Sequence, residues 1–141
     1  MLQRTSRLFF WLYVATLLLV GSGGMFFAQY ELATLYRLDL SSLPASASIQ
    51  SGPENFLNQY RFLKASELGI GIFCVVFWRE IFRSGRLHAV FLAIVACGVF
   101  ARGMSLFLDG MPQMMFIGFL IFELLTGALV YWAVRLTRQE N

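Results

Sequence analysis

The sequence predicts an all-α integral membrane protein, a four-helix bundle with both termini on the cytoplasmic side. Three observations predict it. Of 141 residues, 58% are hydrophobic and only 13% are charged, against about 25% charged in an ordinary soluble domain. Apolar runs long enough to cross a bilayer core about 30 Å thick, roughly 20 residues as a helix, occur at 8–27, 56–78, 87–108 and 112–134. Basic residues outside the runs fall almost entirely on one side of them. The same composition excludes a disordered chain, a nucleic-acid binder of the basic-patch kind and a disulfide-stapled module. The whole chain, 1–141, reads as a single transmembrane domain.

The first run carries no charge and follows Arg4 and Arg7. It exceeds the apolar core of a signal peptide, about 7–15 residues, so a retained helix is expected. Gly21, Ser22, Gly23 and Gly24 near its outer end fit a kink, an unwound stretch or, as the favoured reading, a close helix contact. An outer loop, 28–55, follows. Leu32, Leu35 and Tyr36 at helical spacing predict a short surface helix over 30–40. Residues 41–52 are rich in Ser and Ala, and Ser51-Gly52-Pro53-Glu54 reads as a helix start, with Ser51 and Glu54 as a capping box.

Orientation follows from the arginines. Arg4, Arg7, Arg79, Arg83, Arg86, Arg135 and Arg138 collect on one side, and only Arg37 lies outside the apolar runs on the other. The 79–86 turn and both termini are therefore expected in the cytoplasm, with the 28–55 loop and the 109–112 turn outside. A short pattern repeats: Glu67-Leu68-x-x-Gly71 recurs as Glu123-Leu124-x-x-Gly127, each glutamate followed twelve residues later by Arg79 or Arg135. This suggests two hairpins forming a parallel repeat.

Six ionisable residues lie within or beside the apolar runs: Arg61, Lys64, Glu67, Arg102, Asp109 and Glu123. A lone charge at a membrane helix centre costs about 2.5–3.5 kcal/mol on insertion scales, so these groups should face inward and pair. Lys64 and Glu67 are i, i+3 neighbours, and Arg102 is free to reach Glu67 or Glu123 on another helix. A network that locks the helices is the favoured reading, ahead of a ligand site or a proton path. Ala89, Ala93, Cys97, Ala101 and Ser105 recur every four residues and form a stripe for close packing, with Ala65 and Gly69 offered in kind. Cys97 reads as a packing residue, since apolar surroundings leave little thiolate. The lone His88 reads as a surface residue, and no catalytic, metal or cofactor motif is expected.

From Tyr60 onward the chain resembles a family of small bacterial four-helix membrane proteins known as a domain of unknown function, DUF4345. The resemblance rests on Tyr60-Arg61-Phe62-Leu63, Glu67-Leu68-Gly69-Ile70-Gly71, Ala101-Arg102-Gly103-Met104-Ser105, Asp109-Gly110-Met111-Pro112 and Glu123. It implies a fold and a compartment, the bacterial inner membrane, and no reaction. The expected function is an accessory or scaffolding subunit that meets the lipid bilayer and other membrane subunits or copies of itself. One alternative is a binder or transporter of a small lipophilic or anionic molecule through Arg61, Lys64 and Arg102. Another is a membrane enzyme using Glu67 and Glu123 as an acid/base pair.

Overall fold

A computed structural model describes residues 1–37, 53–83 and 85–139. The expected cap at Ser51 lies outside these residues. Six helices follow in order: α1 Leu2–Phe26, α2 Ala28–Thr34, α3 Pro53–Val76, α4 Trp78–Ile81, α5 Arg86–Leu108 and α6 Met114–Gln139. No strand occurs among the described residues. Three helices, α1, α5 and α6, are long and apolar enough to cross a membrane. The second expected span, α3, misses that measure because Glu54, Arg61, Lys64 and Glu67 interrupt it. The chain divides into two compact units, residues 15–73 and residues 1–14 with 74–141.

The central unit, 15–73, is built on the C-terminal part of α1 packed against α3. Leu18 meets Gly71, Gly21 meets Leu68 and Gly24 meets Lys64. Contacts fall along α3 as they rise along α1, so the two helices are antiparallel and repeat every three residues, close to one turn. A Cβ on Gly21 would stand 2.6 Å from the Leu68 amide nitrogen, backbone against backbone. The glycine run in α1 is therefore a close contact. The helix stays α through it, so the stretch is not unwound.

The break comes just afterwards, at Phe27, whose φ of −117° and ψ of 36° leave the helical region. The Glu31 amide still bonds the Phe27 carbonyl at 2.9 Å, so the chain re-enters helix after one residue as α2. This short helix lies earlier than the expected 30–40. Ala28, Glu31 and Leu32 are its buried residues. Ala28 and Leu32 pack with Tyr60, Tyr36 and Leu57, and Arg37, at φ 53°, lies beyond the helix end.

The terminal unit, 1–14 with 74–141, has an aromatic core. Phe10 and Phe91 are fully buried and meet at 5.5 Å between ring centres, with Phe82 5.2 Å from Phe10 on another edge. Such edge-to-face pairs add about 0.5–1.5 kcal/mol beyond burial. A second one-residue break, at Phe77, sets off α4. His88 reaches from α5 to the Ile81 carbonyl through Nδ1 at 2.8 Å, so it is half-buried and fixes the α4–α5 turn, rather than being a free surface histidine. The α5–α6 reversal turns on Gly110, whose φ of 95° is open to glycine at little cost. Helices α5 and α6 run antiparallel, with Val95 opposite Gly127 and Gly98 opposite Glu123. Helix α6 continues past the expected 134 to Gln139, where Thr137 accepts from the Gln3 amide at 2.9 Å.

Close contact makes a sharp prediction. Gly21→Ala should lower unfolding stability by about 1–3 kcal/mol, the usual range for overpacking. Gly69→Ala, where a Cβ meets nothing within 4 Å, should be neutral or stabilising by up to about 1 kcal/mol. Circular dichroism melts of the two variants in one detergent would separate them.

Candidate functional site

The strongest concentration of buried charge lies in the central unit, around Lys64. Its side chain is 3% exposed, although lysine is among the residues least often buried. The ammonium sits 3.1 Å from Glu67 Oε2, one turn along α3, and 3.5 Å from Glu31 Oε1 on α2. Tyr60, one turn back along α3, holds its ring 5.4 Å from the ammonium, within cation–π range. Tyr36 meets Tyr60 edge-on at 5.9 Å.

Glycine makes this arrangement fit. A Cβ at Gly24 would fall on the Lys64 stem and on Glu31 Oε2. The lysine therefore occupies the space left by the missing side chain on α1. Two carboxylates face one cation, so the cluster carries an excess of negative charge. Two of its oxygens, Glu31 Oε2 and Tyr60 Oη, are buried without a hydrogen-bond partner, and each such orphan typically costs about 1–3 kcal/mol.

The terminal unit holds a simpler pair. Arg102 on α5 donates from Nε to Glu123 Oε2 at 3.1 Å and from a terminal nitrogen to Oε1 at 3.3 Å. This two-bond fork suits a guanidinium. Phe119 lies under the guanidinium at 5.8 Å. A Cβ at Gly98 would stand 3.5 Å from Glu123 Oε2, in ordinary van der Waals contact.

The six residues singled out from the sequence thus separate into distinct roles. Lys64 and Glu67 pair as their spacing suggests, and Arg102 takes Glu123. Asp109 is exposed and accepts from the Ser105 hydroxyl at 2.7 Å. Arg61 is exposed, with no ion-pair partner among the described residues. Lys64 and Arg102 are each engaged by carboxylates of their own unit. The residue missed from the sequence is Glu31. Its signal was available: Ala28, Glu31, Leu32 and Leu35 stand at i, i+3, i+4 and i+7, which places the glutamate on the apolar face.

The small-residue stripe also differs from expectation. Ala89, Ala93, Cys97 and Ala101 are exposed, so the stripe is left uncovered on α5. Cys74 is the buried cysteine and Cys97 the exposed one. Among the described residues no group of His, Cys, Asp and Glu could hold a metal ion.

Removing the central cation should be severe. Lys64→Met strands two carboxylates and should lower stability by about 3–5 kcal/mol, whereas adding Glu31→Gln and Glu67→Gln should recover most of the loss, since a neutral core of similar volume removes the uncompensated charge. Chemical unfolding of the single and triple variants in mixed micelles measures both.

No curated protein and no solved structure matches this chain. The family model described as "Domain of unknown function (DUF4345)" matches residues 5–134, so the match extends beyond helices α3 to α6 to include α1 and the loop after it. Covering nearly all of the chain, that match shows that it belongs to the DUF4345 family.

Proposed function

We propose that the chain is a four-span protein of the bacterial inner membrane that serves as an accessory or scaffolding subunit of a membrane assembly. In this reading α1, α3, α5 and α6 are the spans, and α3, at 24 residues, is about 36 Å long. Its charge is tolerable because Lys64 pairs with both Glu67 and Glu31. The arginine distribution supports cytoplasmic termini, and the repeated Glu-Leu-x-x-Gly supports a parallel two-hairpin plan. In each unit the motif glycine, Gly71 or Gly127, is where the helix touches its antiparallel neighbour.

The observation that carries the reading is the exposed row of Ala89, Ala93, Cys97 and Ala101. Lipid tails are as apolar as leucine, so membrane helices gain little from hydrophobicity alone and associate where small side chains let backbones approach. A row of such residues, one turn apart, is suited to a partner helix. The interior charges do not favour the rival readings. An anion binder within the bundle needs a buried cation to spare, whereas Lys64 and Arg102 are already engaged and Arg61 is exposed. An acid/base pair needs carboxylates free to exchange protons, and Glu67 and Glu123 each hold a cation.

Native mass spectrometry after gentle extraction tests the proposal. Wild type should travel in a species heavier than its own 16.0 kDa. Ala93→Phe should reduce it to the bare chain while changing stability by no more than about 0.5 kcal/mol, as at other exposed sites. A wild-type protein found only as the bare chain would overturn the reading.

A further inference from the structure

The central unit carries a groove of about 810 Å³, within the size range of small-molecule sites. Leu19, Phe27, Tyr30 and Leu35 give it apolar walls, and Glu31 is the one charged residue that lines it among the described residues. We infer that this groove binds a small lipophilic amine, with the protonated head on the Glu31 carboxylate and the apolar body along α1. The inference is independent of the assembly proposal, which rests on α5.

Three features select that chemistry. The first is charge. Glu31 and Glu67 outnumber Lys64, and an uncompensated negative charge in a low-dielectric site attracts a cation strongly. The second is the need for a donor. Glu31 Oε1 faces Lys64 at 3.5 Å, while Oε2 is buried and makes no hydrogen bond of normal geometry, the Tyr60 hydroxyl being the one donor besides Lys64 close enough to interact with Glu31 among the described residues. An ammonium N–H satisfies it, and a quaternary ammonium, which has no N–H, does not. The third is access. Gly23 lines the same groove, and a Cβ there would meet only Glu31 Oε2, at 4.0 Å. No side chain from this position stands between the groove and that oxygen. The terminal torsion of a glutamate is broad, so a small rotation turns the carboxylate toward a bound head. The Thr34 hydroxyl, also at the groove, is already given to the Tyr30 carbonyl at 2.7 Å, which leaves Glu31 to set the specificity.

Isothermal titration calorimetry of the full chain in a neutral maltoside detergent tests this with four probes of one shape: 4-phenylbutylamine, its trimethylammonium analogue, 4-phenylbutanol and 4-phenylbutyrate. The amine should bind at least tenfold more tightly than the other three. Gly23→Leu, whose side chain fills the groove beside Glu31, should abolish that binding, and Glu31→Gln should remove the preference for the amine over the alcohol. Equal binding of amine and alcohol to wild type would overturn the inference, as would tighter binding of the carboxylate or undiminished amine binding by Gly23→Leu. Displacement of the amine by added phosphatidylethanolamine would identify a lipid headgroup as the occupant and overturn the assignment to a small amine.

Discussion

A lysine placed among apolar helices governs the central unit. Lys64 cannot stay charged there without partners, and charge burial is tolerated only with close ion pairing and hydrogen bonding. The helix hairpin supplies both on strict terms. Glu67 comes from the same helix one turn away, Glu31 is brought in by the short α2, and Gly24 clears the space the lysine stem needs. The break at Phe27 follows from the same requirement in geometric terms. By redirecting the chain immediately after α1, it places the first turn of α2 where its glutamate faces α3.

The terminal unit solves a related problem with different chemistry. Arg102 and Glu123 form a planar fork across two helices, and the cation is only about two-thirds covered. Around them the core is filled by ring edges rather than by close backbone contact. Phe10, Phe82, Phe91, Tyr13 and Phe122 meet in tilted or edge-on pairs. Aromatic packing tolerates wider helix spacing than glycine packing does.

Much of this was readable in the sequence because two strong physical signals were present. Long apolar runs gave the helices, and α5, at Arg86–Leu108, lies within one residue of the run read as 87–108. The i, i+3 spacing gave the Lys64–Glu67 pair, and the glycine cluster gave the tight contact on α1. The breaks at Phe27 and Phe77 were not legible, since neither contains proline or glycine and tertiary packing sets them. Glu31 escapes a search confined to the ionisable groups within or beside the four long apolar runs, because it sits on the short helix outside them. The uncovered stripe on α5 shows a further limit. Small-residue spacing reports that a helix can be approached closely, but the partner that approaches need not be in the same chain.

The charge on α3 also bears on how such a chain reaches the bilayer. Read alone, α3 offers the insertion machinery a segment with a lysine and a glutamate near its middle, a poor candidate for independent partitioning into hydrocarbon. Its third ionic partner, Glu31, has been synthesised some thirty residues earlier, just beyond α1. On the proposed four-span reading, the favourable order is for α1 to wait beside the translocation channel until α3 emerges, and for the two to leave together as an ion-paired hairpin. Biogenesis, on this view, is paced by the arrival of a single ammonium group.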